Sequence, residues 1–282
     1  MSLAGGQHDG APGPDPAPHS PPLARLLALP FTLLLYALLL LLGLGSLLWN
    51  LLALPLYLLL PRALGRRLGR AGIAYGYRGF WILARACGML RLEAQVLDQL
   101  RDEPRLIIVA NHPSLLDALM LVARLPHSMC IMKASLARNI FLGAGARLAR
   151  YVANDSPRKL IRRTVLDLQQ GSQLVLFPEG TRTTRAPVNP FRPGVTLIAK
   201  LAQAPIQTVF IDTSSPYLGK GWPLWKLPPL PIVFRVRLGR RFEPATDVHA
   251  QLREIEAYYI QALGGTAHPG APPAAVALPA DA

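Results

Sequence analysis

The sequence predicts an α/β domain, a mixed β-sheet flanked by helices, with an N-terminal membrane-embedded helical segment. Three observations carry this. Between residues 92 and 263 short apolar runs alternate with longer helical stretches, the pattern of strands linked by crossover helices. Residues 23–60 are almost wholly apolar, Arg25 being their one charge. Two polar stretches, Asn111 to Asp117 and Pro178 to Arg182, follow directly on apolar runs, as loops do at the carboxyl ends of buried strands.

Taken in order, residues 1–22 are Gly, Pro and polar residues and are expected to be a disordered tail. The apolar block 23–60 is too long and uniform for the short core of a signal peptide. About 20 residues span a bilayer, so the block has room for one long tilted span or for two short helices in a re-entrant hairpin. Gly43, Gly45, Ser46 and Asn50 interrupt its middle. Arg62, Arg66, Arg67, Arg70, Arg78, Arg85 and Arg91 follow with no acidic residue until Glu93. That excess puts this flank, and the domain after it, on the cytosolic face of a membrane, a bacterial inner membrane by composition. Residues 61–91 are expected to be a basic interfacial helix, with Tyr75, Tyr77, Phe80 and Trp81 at headgroup level.

In the domain at 92–263, strands are expected at Leu106 to Val109, Met129 to Met132, Leu174 to Phe177, Ile206 to Ile211 and Val233 to Leu238. Helices are expected at Ser114 to Leu125, Val195 to Leu201 and Ile255 to Leu263, and at Pro157 to Gln170 between a Ser156 cap and Gly171. Residues 264–282, rich in Ala, Pro and Gly, are a second disordered tail. The proline-rich loop with Lys220, Trp222, Trp225 and Lys226 reads as resting on the membrane or as ordinary surface packing.

Thirty basic residues against 16 acidic give a net charge of +14, which seeks phosphates. No helix-turn-helix spacing, zinc ligand set or aromatic RNA-binding signature accompanies it, so no nucleic acid partner is expected. Cys87 and Cys130 offer no disulfide framework and fit a reducing compartment.

The chemistry concentrates in two places. In Asn111-His112-Pro113-Ser114-Leu115-Leu116-Asp117, Pro113 suits the first helical position, leaving His112 at the helix entrance and Asp117 one turn in. From there the carboxylate reaches one imidazole nitrogen and leaves the other as a general base; a capping histidine is the alternative. Ser114 lacks the Gly-x-Ser-x-Gly surroundings of a nucleophile and reads as structural. One His and one Asp are too few for a zinc site, and no metal is expected. In Phe177-Pro178-Glu179-Gly180-Thr181-Arg182, Glu179 and Arg182 either pair with each other or leave Arg182 to grip a phosphate, with Gly180 allowing close backbone approach and Thr181 adding a hydroxyl. Arg158, Lys159, Arg162 and Arg163 form a basic helix face, either solvated or a contact for phosphate or donor.

These blocks resemble those of the glycerolipid acyltransferases. Asn111 to Asp117 is similar to their first block, and Phe177 to Arg182 to their third as written in 1-acylglycerol-3-phosphate acyltransferases. Lys133, Leu136 and Gly143 resemble the stretch between, and Phe191 to Val195 with Pro205-Ile206 the fourth. The resemblance implies that His112 takes a proton from an acceptor hydroxyl while Asp117 orients it. The oxygen then attacks the thioester of acyl-CoA or acyl carrier protein, with Glu179, Gly180, Thr181, Arg182 and Lys133 binding substrate. It implies no cofactor beyond that co-substrate, an apolar groove for the acyl chain, a membrane lipid as partner, and 1-acylglycerol-3-phosphate as first acceptor. Three positions depart from the family pattern. Tyr151 to Asp155 ends without the usual Arg, Ile140 stands where Pro is common, and Thr208 replaces a Pro. They leave room for a non-glycerolipid acceptor. A thioester or lipid hydrolase and a non-enzymatic basic protein are the rival classes.

Overall fold

The computed structural model describes residues 22–223 and 226–264. Apart from Pro22 and Gly264, the expected tails lie outside the described residues, as does Trp225. Seven helices and seven strands are assigned in these: α1 Pro22–Leu59, α2 Arg62–Ala86, β1 Leu90–Glu93, β2 Ile107–Ala110, α3 Asp117–Arg124, β3 Ser128–Met132, α4 Gly143–Leu148, β4 Val152–Ala153, α5 Pro157–Gln169, β5 Gln173–Leu176, α6 Gly194–Ala202, β6 Ile206–Thr213, β7 Ile232–Phe242 and α7 Val248–Gly264. The strands form one sheet in the order β1-β7-β6-β2-β5-β3-β4. β6, β2, β5, β3 and β4 run parallel, β7 is antiparallel to β6, and β1 is parallel to β7. The expected mixed sheet flanked by helices is the fold observed.

Alternation along the strands builds two cores. On β2, Ile108 and Ala110 face one layer with Phe80, Trp81, Met120 and Leu121. Ile107 and Val109 face the other with Leu168, Ile198, Ile255 and Tyr259. The central strands are buried on both sides, so they read in sequence as continuous apolar runs. β1 and β4 are short edge strands whose polar or brief sequences gave no such signal. Thr208 sits at an irregularity between β6 and β7 and donates its hydroxyl to Arg240 O at 2.7 Å.

The expected interfacial helix needs correction. α2 ends at Ala86, and Leu90 opens β1. Phe80 and Trp81 are core residues, Trp81 meeting Phe234 edge-on at 5.7 Å. Arg70 is buried at 5% exposure, not a headgroup contact. Its guanidinium donates to Ala149 O, His127 O, Ser172 Oγ and Asp167 Oδ2. It thereby pins the starts of β3 and β5 to α2. Four donors with four acceptors make a buried cation tolerable, and no helical periodicity of polar residues announces it.

α1 is one unbroken helix, not two short ones. Its polar interruption serves docking: Asn50 donates to Ser46 O and to Phe141 O and accepts from Gly145 N at 2.9 Å. Beside it Trp49 lies flat against glycines: a Cβ on Gly72 would meet its ring at 2.2 Å and one on Gly145 its Nε1 at 2.7 Å. A buried stripe runs from Leu35 and Leu38 to Ala53, so α1 lies lengthwise on α2 and α4. The opposite face leaves Leu33, Leu40, Leu44, Leu48, Leu51 and Leu58 exposed. Asn50→Ala strands Gly145 N and Phe141 O at this junction. It is expected to cost about 1–3 kcal/mol, read as a lower Tm in detergent; an unchanged Tm would mean α1 is held by apolar packing alone.

Candidate active site

β2 and β5 are neighbouring parallel strands, so the loops that leave them emerge at the same sheet edge. Asn111 fixes the first loop. Its buried side chain donates to Ile211 O at 2.9 Å and accepts from Ile211 N at 2.8 Å, tying the end of β2 to β6. His112 follows, 2.9 Å through Nδ1 from Asp117 Oδ2.

The helix begins later than expected. Asp117 is the first residue of α3, and Ser114 to Leu116 form a turn before it. The same Oδ2 that holds His112 also accepts the backbone N–H of Ser114 at 2.7 Å. A carboxylate at a helix start bonding upstream N–H groups competes with helix extension, and that is why the helix does not run back to Pro113. Ser114 is buried and its hydroxyl donates to Tyr217 O, a structural role.

Asp117 is fully buried, and Oδ1 has no partner among the described residues. Burial pushes its carboxyl above the ordinary carboxylate range; the bonds from His112 and Ser114 pull back without overcoming it. The imidazole is 16% exposed and stacks on Phe177, centroids 4.0 Å apart at 18°. With Nδ1 engaged and a ring face covered, Nε2 is the nitrogen left for a substrate.

The second loop is built around Glu179, buried at 3%. It does not pair with Arg182. Oε1 accepts His112 N at 3.0 Å and Thr183 Oγ1 at 2.7 Å, and Oε2 accepts Asn189 N at 2.9 Å. Thr183 N donates back to His112 O at 2.7 Å. Glu179 therefore knits the two loops together, a tie that sequence reading missed because it is made to backbone groups. Gly180 stands at φ +69, and a Cβ there would meet Arg192 Nε at 2.5 Å. Arg192, from the stretch Phe191 to Val195 that resembles the fourth block, thus covers this loop.

Arg182 donates through Nη1 to Leu218 O at 2.8 Å and Gly219 O at 3.0 Å. Leu218 O also accepts Leu115 N, which puts the guanidinium beside the His112 loop. Thr181 is exposed. Lys133 is exposed just past the end of β3, the third parallel strand opening onto this edge. Asn154, in the stretch Tyr151 to Asp155 that ends without an Arg, accepts Ala134 N at 2.8 Å and closes the loop after Lys133. Arg158, Lys159, Arg162 and Arg163 are all exposed on α5. Arg163 points to a different cleft, lined also by Arg62 and Arg147. Among the described residues no group of three or more His, Cys, Asp or Glu is placed to hold a metal.

A histidine held by a buried carboxylate stands beside a second loop carrying an arginine, at the carboxyl edge of this sheet, and residues 91–212 around them match the Acyltransferase family model. Among individual proteins, the chain is 30% identical over 152 residues to a lyso-ornithine lipid O-acyltransferase of Pseudomonas aeruginosa, covering 49% of this chain and 58% of that protein. It is 34% identical over 115 residues to a 1-acyl-sn-glycerol-3-phosphate acyltransferase of Helicobacter pylori, covering 38% and 48%. The chain thus spans about half the length of the curated relatives it matches. In fold it is similar to the crystal structure of the 1-acyl-sn-glycerophosphate (LPA) acyltransferase PlsC from Thermotoga maritima, with a TM-score of 0.63 over 85% of this chain and 96% of that one at 19% identity.

Proposed function

We propose that this chain is a membrane-bound acyltransferase. It moves a fatty acyl group from acyl-CoA or acyl carrier protein to the hydroxyl of a single-chain lipid acceptor. The observation that carries the reading is the His112–Asp117 bond beside the Arg182 loop. His112 Nε2 takes the hydroxyl proton as the oxygen attacks the thioester carbonyl, and Asp117 stabilises the imidazolium that forms. Collapse of the tetrahedral intermediate breaks the C–S bond, and the imidazolium returns its proton to the leaving thiolate. Arg182, with two donors on Leu218 and Gly219, offers the rest of its planar fork to the acceptor's anionic group. Lys133 stands at the same edge as a second cation. Glu179 acts on the loops and not on the substrate. The exposed leucine face of α1 supports membrane association, with Leu29–Leu59 long and apolar enough to cross a bilayer; the Arg-rich flank after it supports a cytosolic catalytic domain.

Lysophosphatidic acid is the first acceptor proposed. Lyso-ornithine lipid is the second: the stretch Tyr151 to Asp155 ends without the arginine of the family pattern, which suits a carboxylate better than a phosphate dianion.

Purified protein given a labelled acyl thioester and each acceptor is expected to release thiol and yield a diacylated lipid by mass spectrometry. His112→Ala is expected to lower that rate at least about a hundredfold. Thiol release with only free acid formed would indicate a hydrolase, and full activity in the variant would remove the mechanism.

A further inference from the structure

Away from the acyl-transfer site, a cleft of about 710 Å³ opens between the end of α1, the start of α2, α4 and α5. Arg62, Arg66, Arg147, Arg150 and Arg163 line it, with Asp167 the single carboxylate. Asp167 is already taken by Arg70 at 3.0 Å and Arg66 at 3.5 Å. Among the described residues no carboxylate stands within ion-pair distance of Arg62, Arg147, Arg150 or Arg163. Arg147 donates to Ala137 O at 3.0 Å; cations gathered around one cleft without counter-ions repel one another, and a folded protein holds them together most readily where an anion joins them.

The backbone at Arg150 points the same way. It stands just past the end of α4 at φ +61, the position where helices end on glycine without strain. An arginine there is held in an unfavourable conformation, its guanidinium 5.1 Å over the Tyr57 ring on the cleft wall. Backbone strain retained at a charged side chain is a mark of use.

The cleft is not an extension of the catalytic site. His112 and Glu179 follow the carboxyl ends of β2 and β5. Arg70, two turns along α2 from Arg62, bonds His127 O and Ser172 Oγ, just before the amino ends of β3 and β5. Leu166, in the last turn of α5, and Gln170, just past its end, are also in the cleft, and α5 leads into β5 from the same side. The two sites lie at opposite edges of the sheet.

We propose that this cleft is a second anion site that takes the phosphate of an anionic membrane phospholipid. Guanidinium forks suit phosphate oxygens. A membrane source is favoured by position: Tyr57 belongs to the last turn of the apolar stretch Leu29–Leu59, so the cleft opens where that helix leaves the lipid and headgroups lie. The inference rests on the membrane reading of α1 and not on acyl transfer.

The test uses the full chain in phosphatidylcholine nanodiscs containing a minor share of phosphatidylglycerol, released into mild detergent and weighed by native mass spectrometry. Phosphatidylglycerol is expected to be retained above its share. Arg62→Gln with Arg163→Gln, which removes two guanidinium groups that bond no described residue, is expected to cut retention about tenfold or more, as loss of charge-assisted bonds does. Arg150→Gly relieves the backbone and is expected to lose lipid with no fall in Tm, so misfolding cannot account for the result. Equal retention in wild type and variants overturns the site. Displacement of the lipid by millimolar inorganic phosphate, or by coenzyme A, overturns the lipid source and gives the cleft to a soluble phosphate. His112→Ala is expected to retain lipid normally, so loss of acyl transfer and loss of this site are read separately.

Discussion

Replacing Asp117 with asparagine is expected to reduce acyl transfer by about 10²–10⁴-fold while raising thermal stability at neutral pH. Asparagine keeps the shape. Its oxygen can take the place of Oδ2 and accept from both His112 Nδ1 and Ser114 N, the bonds now made at 2.9 and 2.7 Å. What it removes is the charge that stabilises the imidazolium. The stability effect has the opposite sign because the carboxyl is fully buried with Oδ1 unpartnered, and burial raises its pKa. A carboxyl whose folded pKa is raised favours the folded state only while protonated. That contribution is full below the unfolded pKa of about 4 and is lost as pH rises through the folded value. The Asn variant lacks this titration, so its Tm advantage is expected to appear at neutral pH and fade in acid. A variant less stable than wild type at neutral pH would show that the bonds to His112 and Ser114 outweigh burial.

Glu179→Ala is the second large effect. It strands His112 N, Asn189 N and Thr183 Oγ1 in a buried site. At about 1–3 kcal/mol for each unsatisfied group, a loss of about 3 kcal/mol or more is expected, together with at least a hundredfold fall in kcat, since misplacing a general base by about 1 Å has that cost. The form of the loss matters. A clamp between loops shows in kcat and Tm together, whereas a ligand of the acceptor shows in the acceptor KM with Tm little changed. An unchanged Tm with a raised KM would return Glu179 to substrate binding.

These two residues show where sequence reading succeeds and where it stops. The His112–Asp117 pairing was legible because five residues of separation at a helix start leave few geometries, and the contact is local. The paired loops were legible because both follow apolar runs that only a buried parallel strand explains. The family resemblance makes Glu179 a substrate ligand; in the fold its acceptor bonds reach back to backbone N–H groups 10 and 67 residues away in sequence. Phe80 and Trp81 were read as membrane-facing beside arginines, and the sheet claimed them instead.

By itself the sequence determined the α/β class, the apolar N-terminal helix, the His112–Asp117 pair and the edge of the sheet where it sits. Each of these follows from short-range pattern: apolar period, strand-then-loop order, and residues a few positions apart. Only the tertiary structure decided that Arg70 is buried, that Asn50 docks α1, that Glu179 joins the two loops, and that five arginines from three helices and the turn after α4 share one cleft. Such contacts depend on which distant segments the fold brings within about 3 Å, and hydrogen bonds to backbone carbonyls and amides leave no residue-specific mark in the chain that makes them.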